Sequence, residues 1–290
     1  MIGLSLRQGE VSMRIAITGA GGQLGQALQR RLAAEHELVA LSHADLDLAD
    51  PVCIEQLAAS RADLVIHPAA FTNVDGCARE PERAYRVNTL GTKYVALACQ
   101  RLDAPLVYIS TNEVFDGAGG RTYYEYDQAA PINPYGWSKW GGEQAVRETL
   151  ARFYICRVAW LFGGARNFVR TIQRLGAERE ELAVVADEVG SPTYAPDVAD
   201  GVAKLIAQPA YGTYHLVNQG VCSRFEFAQA ILRRSGLDRV RLTPIALADY
   251  KRDSTVPPHT PLRNAAAAAL GVSLRPWQEA LEEFLGASAS

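Results

Sequence analysis

The sequence predicts an α/β fold: a doubly wound parallel sheet with a smaller C-terminal domain. Three observations carry this. Short apolar runs alternate with helical periods from Arg14 onward, a glycine-rich turn separates the first run from the first helix, and the alternation loosens after about Trp160.

The elements follow in order. Residues 15–18 read as a short buried strand, and residues 25–34 as the helix behind the glycines. Residues 38–41, 64–67 and 105–110 read as the second, third and fourth strands, the third opened by Asp63. Residues 82–100 have the length and periodicity of one helix. Residues 134–150 form another, with proline in its opening turn, and residues 153–158 a further strand. Helical segments near 167–175, 196–206 and 225–234 then stand between loops bearing Gly and Pro. Residues 249–262 hold three prolines and little periodicity, which suits a surface loop, ordered or mobile. Ala265–Ala269 is helix-prone, and a last amphipathic helix near 277–285 precedes a small-residue tail expected to be disordered.

Composition narrows the function class. The 290 residues are 48% hydrophobic and 21% charged, with net charge −3, so no basic footprint points to nucleic acid. No apolar run approaches the roughly 18 residues of a membrane span. The first twelve residues lack the hydrophobic core of a secretory signal and read as an extension outside the fold. Cys53, Cys77, Cys99, Cys156 and Cys222 show no Cys-x-x-Cys pair and no metal-like spacing with histidine. They read as small buried hydrophobes of a cytoplasmic protein, and no metal is expected.

Gly19, Gly22 and Gly25 stand in a Gly-x-x-Gly-x-x-Gly spacing, with Gln23 and Leu24 between the last two. Glycine lets the backbone turn tightly and approach a pyrophosphate, and the helix that follows offers unpaired amides to the phosphates. The strand–turn–helix setting makes this a Rossmann-type dinucleotide site. The second strand runs into Ser42 and His43 rather than an acidic residue that would hold a ribose 2′-hydroxyl. That leans toward NADP(H), though no arginine stands there either.

Tyr135 and Lys139 lie at i and i+4 on a predicted helix, hence on one face. A lysine ammonium, with the charge of an oxidised nicotinamide, is expected to lower the phenol pKa toward neutral and make it a proton donor and acceptor. A hydroxyl at the end of the fourth strand should complete the set. Thr111 supplies it, at the carboxyl end where open parallel sheets place their ligands.

From Met13 to about Leu285 the chain resembles the dTDP-4-dehydrorhamnose reductases, within the extended short-chain dehydrogenase/reductases. The segments that carry the likeness are GAGGQLG, HPAAFTNVDGCAREPERAYRVNTLGT, STNEVFDG, YGWSKWGGE, RVAWLFGGARNFVRTI, VVADEVGSPTYAPDVA and RPWQEAL. The glycine loop and the Tyr135/Lys139 pair are shared across the superfamily, whereas AAFTNVD, VFDG and GSPTYAPDVA are more specific. The resemblance implies that Thr111, Tyr135 and Lys139 are the catalytic triad. It implies that Asp47 and Leu48 line an adenine pocket, and that Ala69, Ala70 and Thr72 line the cofactor. Asn88, placed with the cofactor set, resembles an asparagine that orders the active-site helix. Val74, Asn112 and Trp160 would meet the sugar nucleotide, with Asn167 and Phe168 beside them.

The implied reaction is NADPH-dependent reduction, with NADH as the alternative donor, of the C4 ketone of a dTDP-sugar. Residues 13–165 would bind the dinucleotide, with residues 194–218 returning to that unit, and residues 166–193 and 219–290 would bind substrate. Homodimers are frequent in the superfamily. One departure stands out: Asn112-Glu113 follow the threonine where many members have aspartate and tyrosine. The nucleotide-sugar dehydratases, which are similar, use an acid at the first of these positions to protonate the departing hydroxyl. Asn112 has no such proton, which argues against elimination. The role of Glu113 stays open. Another nucleotide-deoxysugar ketoreductase, an epimerase and a non-catalytic dinucleotide-binding subunit stay open as alternatives.

Overall fold

Strands buried on both faces need continuous apolar runs, and side chains alternate from face to face along them. The computed structural model, which describes residues 12–287, assembles the runs into a six-stranded sheet. Its strands are β1 (Arg14–Thr18), β2 (Glu37–Leu41), β3 (Leu64–His67), β4 (Leu106–Thr111), β5 (Phe153–Val158) and β6 (Gly212–His215). All pair in parallel, in the order β6-β5-β4-β3-β1-β2. This is a doubly wound, Rossmann-type sheet, with its switch in strand order at β1. The sequence reading of residues 1–12 as an extension, and of the tail beyond residue 287, falls outside the described residues except at Ser12.

The principal helices are α1 (Gln23–Leu32), α2 (Gly91–Leu102), α3 (Pro134–Thr149), α4 (Phe168–Glu178), α5 (Ala195–Ile206), α6 (Arg224–Arg234) and α7 (Trp277–Gly286). Ile15, Ile17, Ile66 and Val107 face one layer with α1 and α5, whereas Ala16, Val65 and Tyr108 face the other with α2 and α3. A separate core forms from α4, α6 and α7, where Val169, Ile172, Phe227, Ile231, Trp277 and Phe284 pack together. Three small sheets accompany it. Leu161–Phe162 pairs with Thr193–Tyr194, Glu181–Val185 with Arg241–Ile245, and Val189–Gly190 with Cys222–Ser223. No described helix is long and apolar enough to cross a membrane. All five cysteines are buried and unpaired.

Two elements depart from the sequence reading. The helix expected over residues 82–100 is Pro81–Ala84, then a π-helical stretch Tyr85–Leu90, then α2. The wide turn holds Asn88, whose side chain reaches sideways to Phe71 and Ser138; π-turns recur where a helix serves a site. The segment 249–262 is no plain surface loop. Ser254, Val256, Thr260 and Leu262 are buried, and its backbone pairs at His259 with Val189 and at Leu262 with Tyr123. Short helices at Cys53–Ala58 and Val74–Arg79 are too brief for periodicity to show.

Candidate active site

β1 delivers the chain into the glycine turn. Gly19 has φ +59°, a left-handed backbone, and a Cβ there would lie 2.8 Å from Ala69 Cα. A Cβ on Gly25 would strike the Gly19 carbonyl, so turn and helix can approach only as glycines. The Gly22 amide donates to that carbonyl at 2.9 Å and opens α1 without any side-chain cap. The first-turn amides of α1 are therefore left for an anion. Gln23 Nε2 donates to the Leu161 carbonyl at 3.2 Å, while its Oε1 is buried with no protein partner. A donor array beside an orphaned acceptor fits a dinucleotide.

These residues form one end of a cleft of about 630 Å³ outside the carboxyl ends of the strands. The cleft gathers most of the residues expected from sequence. Gly19, Gly22, Gln23, Leu24 and Gly25 line it, with Asp47 and Leu48 after β2 and Ala69, Ala70, Thr72 and Val74 after β3. Thr111, Asn112, Tyr135, Lys139 and Trp160 complete its wall.

Three expected residues are not in that wall. Asn88 lies behind it, 1% exposed, accepting from the Phe71 amide (2.7 Å) and donating to the Phe71 carbonyl (3.0 Å) and Ser138 Oγ (2.9 Å). It ties the loop after β3 to α3 rather than facing a ligand. Asn167 caps α4 by accepting from the Arg170 amide at 3.0 Å, so its short side chain is held at the helix end. Phe168 stacks on Phe227 with ring centroids 5.6 Å apart, within the smaller core.

The three side chains expected to be catalytic converge because two elements, β4 and α3, meet at the cleft. β4 ends on Thr111, while Asn133 caps α3 through the Gly136 amide (2.7 Å) and sets the first turn that carries Tyr135. Lys139 follows one turn later, with its Nζ 4.2 Å from the Tyr108 ring centroid. Burial pushes the Tyr135 phenol above its ordinary value, the Glu113 charge adds to this, and a hydrogen bond with Thr111 opposes it. Burial also lowers Lys139 to about 7, against the pull of Glu143. The lowering expected at Tyr135 counted the charge of an oxidised nicotinamide as well as Lys139; the protein groups by themselves push the phenol up. A protonated phenol is what reduction of a ketone calls for.

Several residues of the site were not singled out from sequence. Glu143 continues the Tyr135–Lys139 spacing by one more turn and is wholly buried. It accepts from Arg157 (2.9 and 2.8 Å), Ser110 (2.6 Å) and Arg147 (2.9 Å). Burial alone would raise this carboxyl, but the two arginines and Ser110 hold it below its ordinary value. The signal was an arginine in the apolar run FYICRV, with an acid at i+8 from the tyrosine.

Glu113 accepts from Asn133 Nδ2 at 2.7 Å, and that same group also donates to the Thr255 carbonyl at 2.8 Å. Burial raises Glu113 to about 7, the Asn133 hydrogen bond lowers it, and the Glu188 charge adds to the rise. Asn112 Nδ2 donates to Thr260 at 2.6 Å, so the segment 249–262 is pinned beside the triad. Trp160 carries a left-handed backbone (φ +40°), and Arg224 lies 3.6 Å over its ring while pairing with Glu188 at 2.9 Å. A non-glycine residue held there is backbone strain at the cleft wall.

Comparison with known proteins agrees with this geometry. The family described as RmlD substrate binding domain matches residues 13–290. The chain belongs to the dTDP-4-dehydrorhamnose reductase family. The spore coat polysaccharide biosynthesis protein SpsK of Bacillus subtilis is 40% identical over 94% of this chain and 96% of its own. The dTDP-4-dehydrorhamnose reductase of Mycolicibacterium smegmatis is 38% identical over 96% of this chain and 86% of its own. Among solved structures, the family's Bacillus anthracis reductase, in complex with NADP, superposes with a TM-score of 0.92 at 39% identity. That match covers 95% of this chain and 99% of the other. A Thermus thermophilus UDP-glucose 4-epimerase superposes at 0.82 with 20% identity, a likeness of fold alone.

Proposed function

We propose that this chain reduces the C4 ketone of dTDP-4-dehydro-6-deoxy-L-mannose with NADPH, giving dTDP-L-rhamnose. The observation that carries the reading is the meeting of Thr111, Tyr135 and Lys139 in the wall of the cleft that the glycine turn also lines. Family membership narrows the substrate to a dTDP-sugar.

When bound, NADPH supplies the hydride. Everything else falls to the chain. The α1 amides and the glycine turn hold the pyrophosphate, while Asp47, Leu48, Ala69, Ala70 and Thr72 line the rest of the dinucleotide. Thr111 donates to the ketone oxygen and orients it. Tyr135, kept protonated by burial, gives its proton to that oxygen as charge develops there. Lys139 takes the nicotinamide ribose and adjusts the phenol. Asn88 acts from behind by fixing α3 through Ser138. Val74, Asn112 and Trp160 face the sugar nucleotide, and the body built on α4, α6 and α7 closes the substrate side, where Asn167 and Phe168 stand. Five unpaired buried thiols suit a reducing cytoplasm.

The test is loss of NADPH absorbance with dTDP-4-dehydro-6-deoxy-glucose and a 3,5-epimerase, with NADH run in parallel. Stoichiometric oxidation, reduced about 10²–10⁴-fold in Tyr135→Phe, is the expected result. No oxidation with either cofactor sinks the reading.

A further inference from the structure

The far end of the cleft, where β2 stops, is walled by Ser42, His43, Leu46, Asp47 and Leu48. In a sheet of this topology the ribose of the adenosine lies over that strand end. The chain turns sharply there, with the amides of Asp45 and Leu46 donating to the Ser42 carbonyl at 3.2 and 3.1 Å. Inside the turn, one carboxylate oxygen of Asp45 accepts twice from Ser42: from its backbone amide at 2.8 Å and from its hydroxyl at 2.6 Å. Those two bonds, the hydroxyl's first, hold the Asp45 carboxyl below its ordinary range, so it is an anion at neutral pH.

The donors that this end offers are few. Among the described residues lining the cleft, Lys139 is the single lysine or arginine, and it stands at the catalytic end. A phosphate on the 2′-oxygen would draw on the Ser42 amide, the Ser42 hydroxyl and the His43 ring. The first two are already engaged by a carboxylate, which binds them as a phosphate oxygen would. Asp47 is a second carboxylate on the same wall.

We propose that Asp45 is a specificity-determining residue that restrains NADPH relative to NADH by occupying the Ser42 donors with a competing anion. NADH, whose 2′-hydroxyl makes no such demand, binds with the turn intact. NADPH, the donor of the proposed reaction, must share or displace the carboxylate and bears its repulsion, so it binds less tightly than the same cleft would hold it without the Asp45 charge. This rests on the reading above, that a nicotinamide dinucleotide occupies the cleft with its adenosine at β2.

The experiment measures dissociation constants of NADPH and NADH by tryptophan fluorescence, without sugar. The chains compared are the native one, Asp45→Asn and Ser42→Ala. Asp45→Asn keeps an acceptor for Ser42 and removes the charge, so NADPH tightens about tenfold while NADH stays within about twofold. The gain shrinks as salt is raised. Of the two cofactors only NADPH calls on the hydroxyl that Ser42→Ala removes, so NADPH weakens several-fold and NADH does not. Competition by adenosine 2′,5′-bisphosphate follows NADPH in both variants, and competition by 5′-AMP follows NADH.

Equal changes for both cofactors, or none, in Asp45→Asn overturn the proposal and leave Asp45 as a turn residue only. Should Asp45→Asn fail to fold, Ser42→Ala decides alone, and equal weakening of both cofactors overturns the idea. A native chain that binds neither cofactor removes the functional reading itself, an outcome distinct from either.

Discussion

Glu143→Gln tests what holds α3, the helix of Tyr135 and Lys139, in place. Glu143 is 0% exposed, and Arg157, its partner on β5, is 2% exposed. The carboxylate accepts both Arg157 contacts, at 2.9 and 2.8 Å, as well as Ser110 and Arg147. Glutamine fills the same space but brings an NH₂ group toward two guanidiniums and leaves Arg157 as an uncompensated cation. Breaking a buried pair from one side costs about 3–5 kcal/mol, against a total stability of about 5–15 kcal/mol. Arg157 already has one buried nitrogen without a partner, so little slack exists to absorb the change. Urea unfolding followed by the fluorescence of the four tryptophans measures the loss. Replacing both partners, Glu143→Leu with Arg157→Met, should recover most of it, because the fully buried cation is then gone and Arg147, whose side chain is 29% exposed, can turn to water. The functional echo is at Lys139: Glu143 opposes the burial that lowers it to about 7, so without that charge its pKa falls and the ribose contact proposed for it should weaken. A loss below about 1 kcal/mol with an unchanged urea dependence would falsify this reasoning, since Arg157 would then have reached water.

Three more predictions concern the site. Glu113 is raised from 4.5 to about 7 by burial, so the folded chain holds its proton more tightly than the unfolded one between those values. Native stability relative to Glu113→Gln should therefore decline as pH rises from 4.5 to about 7, and a flat difference across that window counts against the shift. In catalysis the same variant removes a charge that raises Tyr135, so the alkaline limb of kcat should move to lower pH. Gly25→Ala drives a methyl into the Gly19 carbonyl, costing about 1–3 kcal/mol and most of the cofactor affinity; isothermal titration at native-like affinity would contradict the packing. Asn112→Ala cuts the link to Thr260, so hydrogen exchange across residues 249–262 should quicken while exchange in β1 and β4 does not.

The glycine turn was legible because its chemistry is local: the left-handed Gly19 and the uncapped start of α1 are properties of consecutive residues. Tyr135 and Lys139 were legible because helical spacing alone puts them on one face. Thr111 was legible as the end of an apolar run. Strand β6, with Gly212 at its start and His215 at its end, was not, since only pairing with β5 makes those residues a strand. Asn88 was assigned to the cofactor, yet the π-turn that aims it at Phe71 and Ser138 has no signature in its own six residues. The prolines of 249–262 suggested an outer loop because nothing local reveals that Asn112, Asn133 and Val189 reach across to hold it.

Periodicity, glycine placement and helical spacing therefore determined, by themselves, a doubly wound sheet, a dinucleotide turn and a helix face that carries Tyr135 and Lys139 together. Tertiary structure decided the protonation of that face. Charge in a protein depends on what surrounds it in space, and the groups around Tyr135 come from β4 (Thr111), from the turn after it (Glu113) and from the short helix Val74–Arg79 (Cys77). Desolvation at Tyr135, with the Glu113 charge beside it, raises the phenol, a contribution that the Tyr–Lys spacing does not reveal.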